Sequence, residues 1–477
     1  MSAPDRARVK EDILAWFDEN AQCFKDLSKQ IWDLAELQFQ EFQSSALLMD
    51  ILREAGFTVT AGAAGMPTAF VAEYRSGDGP VVAVMGEYDA LKGLGCEIAG
   101  TCRPTGGSGH GCGHNLLGTG AAAAAIAARY AMEANGIHGT VKYFGCPAEE
   151  GGGAKVFMVR EHVFDGVDAV FGWHPANANI VSEAAAMAIM SVRYRFHGRA
   201  AHAGVCPHLG RSALDAAILM DVGVNYLREH VQPDVRIQSV ITNGGKVPNV
   251  VPDEAEIWYY IRAPRRQDLD AVYHRVNLIA EGMAHATETT VERRVGAGAS
   301  SNGLPNSVIS ALVRSNLAEL GGPVFDAADR AFAAELNREV SLQEKAQSMA
   351  QMYQIYDEKI YSQDLCEYVQ TATQAGVTAP YSGDGSDVAW TAPTAQLNTC
   401  CQPVGTGNHS WQQVVASGSA IGQKGMIAAA KVIAMSLCDA LCRPDLLAEA
   451  RKELDAHLTA CPYHCPIPPE VQPGTMD

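Results

Sequence analysis

With 477 residues the chain is longer than one ordinary hydrophobic core organises, so two domains, or one large domain carrying an insertion, are expected. Hydrophobic residues at 47% and charged residues at 19% suit a globular protein with a large interior, and a net charge of -18 argues against nucleic acid or an anionic membrane as main partner. Thirteen cysteines behind an amphipathic start that does not read as a signal peptide imply reduced thiols in a cytoplasmic protein, and no run reaches the roughly 18 apolar residues of a membrane span.

The first elements are helical, because Ile13, Leu14 and Phe17, then Leu27, Ile31 and Leu34, recur at helical spacing. Short apolar runs follow. Strands are predicted over 69–74, 81–85, 140–144 and 167–173, with an Ala-rich helix from about Leu116 and a Gly-opened helix over 152–161. Near-continuous apolar strands alternating with helices indicate the α/β class, with a largely buried sheet flanked by helices. The texture changes at about Met187. A strand over 190–196, a helix over 211–229, strands over 235–242 and 255–261, a helix over 267–286 and a strand over 289–295 give a β-α-β-β-α-β order, similar to the ferredoxin-like arrangement. The expected organisation is a first domain made of 1–187 and 302–477, interrupted by an inserted α+β domain over 188–301. Segment 343–374 reads as helical and polar.

Four clusters carry the chemistry. Gly86–Leu91, Gly145–Gly152 and His174-Pro175 each follow a predicted strand, and the carboxyl ends of strands are where α/β folds assemble their sites. The fourth, Gly109–Asn115, opens the Ala-rich helix. Cys112 and His114 offer a thiolate and an imidazole, good ligands for Zn2+ and similar ions, and the glycine between them lets both face one point. A buried cysteine beside a helix-opening histidine is the plainer alternative. Glu149 and Glu150 precede three glycines, where surface acids are not expected. Two carboxylates in one site repel unless a cation lies between them, so one suits a metal ligand and the other a general base. With His174, and with His409 in the Gly-rich run Gly405–Trp411, five donors are at hand: Cys112, His114, Glu150, His174 and His409. Two ions about 3.5–4 Å apart clamp and activate a water for amide hydrolysis. A hydrolase with Cys112 as nucleophile is a rival of another class.

The runs GEYDAL, GHGCGHN, PAEEGGG, WHP, GRAAHAG with PHLGRSALDA, PNVVPDEAEI with the IR after it, and GTGNHSW lie in this order between residues 86 and 411. Together they resemble the M20 family of metallopeptidases and amidohydrolases, in particular its branch acting on aminobenzoyl-glutamate and amino-acid conjugates. The resemblance implies an M20-type catalytic domain with an inserted dimerisation or lid domain, and two divalent metal ions per subunit, Zn2+ or Mn2+. It implies that Cys112 takes the bridging position, an Asp in many relatives, while His114, Glu150, His174 and His409 complete the shell. Glu149 would be the general base and Asp89 would orient the shell; Glu87 stands where many relatives carry a metal-binding histidine. In the insertion, His202 matches the residue that reaches a neighbouring subunit's site to stabilise the oxyanion, and Asn249 and Arg262 match positions that hold the substrate's carboxylate. A strand-end surface cation is the plain alternative for Arg262. The implied reaction is hydrolysis of an N-acyl amino acid, p-aminobenzoyl-glutamate first, to p-aminobenzoate and glutamate. Indoleacetyl- or benzoyl-amino acids and dipeptides are alternatives, as is a metal-binding partner subunit with little activity alone. The implied assembly is a homodimer, or a heterocomplex with a homologous A-type subunit.

Overall fold

Strand-forming runs are concentrated where Val, Ile and aromatic residues cluster, and along residues 5–371 and 373–474, which this computed structural model describes, they build two sheets. In chain order the strands are β1 (Thr58–Ala61), β2 (Phe70–Ser76), β3 (Val81–Glu87), β4 (Gly139–Cys146), β5 (Ala169–Ala176), β6 (Asn179–Ser182), β7 (Ala188–His197), β8 (Arg236–Asn243), β9 (Glu254–Ala263), β10 (Thr290–Val295), β11 (Val369–Gln370) and β12 (Thr394–Cys400). The chain divides into two units. The first holds residues 5–185, Leu304–Pro380 and Val388–Tyr463; the second holds Ala186–Gly303, Tyr381–Asp387 and residues 464–474.

The first unit is built on a mixed sheet in the order β1-β2-β4-β3-β5-β12-β6-β11. Its centre, β4, β3, β5 and β12, is parallel. Val82, Val84, Val141, Val170 and Phe171 are fully buried, as expected where helices cover both faces of parallel strands. The Ala-rich helix His114–Asn135 packs on β3 and against the helices Arg6–Leu34 and Ala420–Leu441. Its buried run Ala121–Ala125 carries nothing beyond Cβ, which lets those backbones approach closely. The predicted N-terminal periodicity is one unbroken helix, Arg6–Leu34, burying Ile13, Phe17, Phe24, Leu27 and Ile31. Because β3, β4 and β5 run the same way, their carboxyl ends share one edge of the sheet, and Glu87 lies opposite Cys146 in the register. No single helix among the described residues is long and apolar enough to cross a membrane.

The second unit is a four-stranded sheet in the order β10-β7-β9-β8, every neighbour antiparallel. The helices Ala213–Leu227 and Arg266–Ala286 pack on it. Strand order and helix placement are those of the ferredoxin-like arrangement. β8 is an edge strand and mostly exposed.

The reading of 343–374 as one helical stretch is corrected. The helix Leu342–Tyr353 starts with a capping box between Ser341 and Glu344 and stops where Gln354 turns left-handed, at φ 56°. A one-turn helix, Glu358–Tyr361, and the short β11 follow. Ile355, Ile360, Leu365 and Cys366 are buried in a small separate core with Met349 and Val404, and that packing outweighs the polar helical composition. Ala372 lies outside the described residues.

Candidate metal centre

The turn carrying Cys112 and His114 depends on two glycines. Gly113 has φ 78° and caps the helix His114–Asn135, a conformation that a side chain makes costly. A Cβ on Gly111 would lie 2.6 Å from Leu94. His409 arrives from the opposite side of the chain: its N–H donates to the Gly111 carbonyl at 3.1 Å, and its φ of 58° is left-handed, a strained value for histidine. Ala148, just before the acid pair, is left-handed too, at φ 52°. It opens a short irregular turn, Glu149–Gly152, in which Glu150 and Gly151 leave helical geometry and which carries both carboxylates.

Hydrogen bonds to the ring nitrogens set the histidines. His174 Nδ1 donates to the Pro175 carbonyl at 2.7 Å, which leaves Nε2 open to an ion, and Nε2 lies 3.4 Å from Cys112 Sγ. His114 Nδ1 is 2.8 Å from Asp89 Oδ1, which likewise frees Nε2. Asp89 Oδ2 accepts the Glu150 N–H at 2.9 Å, so one carboxylate orients both a histidine and the acid pair. His409 Nε2 is 3.4 Å from Glu150 Oε1.

These donors form two groups that share one atom. Cys112, His114 and His174 make one; Cys112, Glu150 and His409 make the other; in each, the ligand atoms lie within 4.8 Å of one another. The residues fit divalent ions on two grounds. His114 Nε2 and Glu150 Oε1 are buried and make no hydrogen bond among the described residues. Donors about 2.0–2.3 Å from a common ion, and about 100–110° apart around it, stand about 3.2–3.5 Å from each other. The 3.4 Å separations of Cys112 from His174 and of Glu150 from His409 fall in that range.

Electrostatics point the same way. Burial pushes the Cys112 thiol up, and Glu150 pushes it further. Burial also pushes Glu150 up, but His409 and His114 together hold the carboxyl below its ordinary range. The neighbouring Glu150 carboxylate raises His409 in turn, and burial lowers His174. Thiolate and carboxylate crowded together in a dry site repel, and a cation relieves that repulsion.

The first unit therefore gathers Asp89, Cys112, His114, Glu149, Glu150, His174 and His409 of the residues named from the sequence. The other three lie in the second unit. His202 and Asn249 are exposed and sit on paired segments, with the Ala203 N–H on the Asn249 carbonyl at 2.9 Å. Arg262 is on β9; its Nη1 donates to Gln238 Oε1 at 2.8 Å, its guanidinium stacks over Tyr260, and burial lowers its pKa. Two buried charged residues escaped the motif reading. Lys155 lies 2.7 Å from Glu87 Oε1, and Glu41 accepts the Ala148 N–H. The one available signal for Lys155 was a lone cation inside the apolar run Ala154–Val159.

Comparison with known proteins accords with this geometry. Residues 185–288 match the model of the M20 peptidase dimerisation domain. The B-type subunit of the p-aminobenzoyl-glutamate hydrolase of Escherichia coli is 42% identical over 98% of this chain and 100% of its own length. The Xaa-Arg dipeptidase of Mus musculus is 32% identical over 67% of this chain and 73% of its own. A dinuclear metal-binding peptidase of the M20 family from Bacillus subtilis shares the fold, with a TM-score of 0.60 at 16% identity, over 88% of this chain and 98% of that one. The chain is a hydrolase of the M20 family.

Proposed function

We propose that this chain hydrolyses the amide bond of an N-acyl amino acid, p-aminobenzoyl-glutamate being the first candidate, at a site that takes two divalent ions. The observation that carries the reading is the Cys112 sulfur shared by two donor groups, one completed by His114 and His174 and the other by Glu150 and His409. The 42% identity to one chain of a p-aminobenzoyl-glutamate hydrolase, along its full length, supports the substrate. Bound there, two divalent ions supply Lewis acidity, lowering the pKa of a water and polarising a carbonyl. A thiolate donor favours Zn2+ on softness; the carboxylate beside it also suits Mn2+.

The chain's own groups do the rest. Glu149, whose carboxylate lies within 4.8 Å of the ligand nitrogen of His114, takes the proton of the attacking water and returns it to the leaving nitrogen. Asp89 keeps His114 and the acid pair oriented. In the segment 188–301, Arg262 is suited to a substrate carboxylate: it is partly desolvated and held by neutral Gln238, a planar fork without a carboxylate partner among the described residues. Asn249 joins it in that role. His202 stabilises the tetrahedral oxyanion in the site of a second copy.

The segment 188–301 is read as the dimerisation domain. Ile218, Leu219, Val222 and Tyr226 expose an apolar stripe along the helix Ala213–Leu227, and the edge strand β8 exposes Val240 and Ile241. Both features suit docking of a second copy. Since the 42% relative is the B-type chain of its hydrolase, a complex with a homologous A-type chain is the second reading.

The test is glutamate release from p-aminobenzoyl-glutamate by the purified chain alone, before and after chelation and after restoring Zn2+ or Mn2+. Turnover that disappears with the ions and returns with them is expected. Turnover in a chain shown to hold no metal overturns the reading. Metal-loaded chain that turns over only when the A-type chain is added selects the second reading.

A further inference from the structure

The second unit leaves one face of its sheet uncovered by helices, because both pack on the other face, where the Tyr194 and Tyr259 hydroxyls donate to Asn277 and Asp221 of those helices. Side chains alternate along a strand, so the uncovered face holds Arg193 and Arg195 of β7, Glu256 and Arg262 of β9, and Arg236 and Gln238 of β8. Its cations are not partnered alike. Arg193 and Arg195 each pair with Glu256 at 2.9 Å. Arg236 and Arg262 pair with no carboxylate among the described residues, yet they stand directly opposite each other in the register.

Directly opposed residues of an antiparallel pair have Cα atoms about 4.5–5.5 Å apart, and like charges so placed repel. Neutral groups hold both guanidiniums, and through the same nitrogen. Arg262 Nη1 donates to Gln238 Oε1 at 2.8 Å, and Arg236 Nη1 donates to the carbonyls of Pro233 and Val235 at 2.7 and 3.0 Å. Nε and Nη2 of each make no hydrogen bond among the described residues. Such a pair of N–H groups is what a guanidinium uses to grip a carboxylate through two parallel bonds. A single carboxylate on Arg262 would leave Arg236 without a counter-charge. Two carboxylates a few bonds apart on one small molecule neutralise both.

We propose that Arg236 determines specificity for the amino-acid half of the substrate: it binds the side-chain carboxylate of a dicarboxylic amino acid such as glutamate, whose α-carboxylate lies on Arg262. The proposal rests on the substrate-carboxylate reading of Arg262 given above. Arg236 is exposed and so is open to a ligand. A conjugate with a neutral or basic side chain brings no counter-charge to Arg236, and a basic one adds a third cation to two that already repel. The opposed pair therefore selects acidic amino acids by attraction and rejects basic ones by repulsion.

The test compares p-aminobenzoyl-glutamate with p-aminobenzoyl-glutamine, its neutral isostere, as substrates of metal-loaded wild type and Arg236→Gln. Wild type should prefer the glutamate conjugate at least about tenfold in kcat/KM, the order expected for one hydrogen-bonded charge contact. Arg236→Gln should lose most of that preference, through a higher KM for the glutamate conjugate. Arg236→Met carries the test if Arg236→Gln does not fold. A wild type that does not discriminate, or a folded variant that keeps the full preference, overturns the proposal. A wild type that cleaves neither conjugate counts against the amidohydrolase reading, a separate outcome. Calorimetric titration of the same chains with both conjugates then decides the proposal: tighter binding of the glutamate conjugate that Arg236→Gln abolishes supports it, and a wild type that binds neither conjugate more tightly overturns it.

Discussion

Glu41 is fully buried, and its carboxylate accepts the N–H groups of Phe39 and Ala148 at 2.9 Å each and the Thr68 hydroxyl at 3.0 Å. Phe39 and Ala148 are both left-handed, at φ 60° and 52°, so Glu41 pins the turn that presents Glu149 and Glu150. Burial, then the nearby Asp89, pushes its pKa up to about 8. A carboxyl raised in the folded state binds its proton more tightly there than in the unfolded chain. Its contribution to stability is therefore complete below the unfolded value of about 4.3 and is lost as pH rises toward 8. Urea unfolding of chelator-treated protein at pH 5, 6.5 and 8 should show wild type losing ground to Glu41→Gln, by up to about 1.4 kcal/mol per pH unit within that window. Parallel stability profiles would contradict it. The candidate donors that the first unit groups together were legible in the sequence because glycine runs and strand ends marked them. Glu41 and Lys155 were not, because a charged residue carries no local sign that distant elements will close over it.

Elements with a strong pattern were legible. The apolar runs of β3, β4 and β5 and the Ala-rich helix lie within a few residues of their predicted places. The strands extend further than the apolar pattern did, so that β5 itself carries His174. β12 escaped notice because Thr394–Cys400 mixes Thr, Gln and Asn with few apolar residues; it is buried because β5 and β6 flank it, and Asn179 accepts the Cys400 N–H at 2.8 Å. At the helix start beside the site, glycine chemistry makes a sharp contrast. Gly113→Ala forces a left-handed alanine and puts its Cβ 3.0 Å from Pro175, next to His174. The backbone term alone costs about 1–2 kcal/mol. Gly107 has no such φ, and its nearest neighbour, Thr105, is 3.7 Å away. Chemical unfolding should find Gly113→Ala destabilised by at least that amount and Gly107→Ala within about 0.5 kcal/mol of wild type. Equal effects would mean that the Gly113 conformation does not constrain the loop.

For the whole molecule, the segment order predicted an insertion of ferredoxin-like order, while the role proposed for that insertion requires a second copy of the chain. Tyr226 is 73% exposed and Val222 46% on the helix Ala213–Leu227. A glutamate at either place puts a charge on the apolar stripe. Val222→Glu with Tyr226→Glu should sediment as a monomer and lose at least about a hundredfold in kcat/KM, the order expected for removing an oxyanion donor supplied across the interface. Its ion content should stay unchanged. Full activity in a chain shown to be monomeric would remove His202 from the mechanism proposed here.

If one thiolate joins two ion sites, as proposed, the ion content of each folded chain depends on Cys112. Elemental analysis of purified wild type and Cys112→Ala, with folding checked by circular dichroism, should find two divalent ions in wild type and a loss affecting both sites in the variant, because both donor groups contain Cys112. A single ion in active wild type, or two ions retained by folded Cys112→Ala, would contradict the shared-thiolate centre.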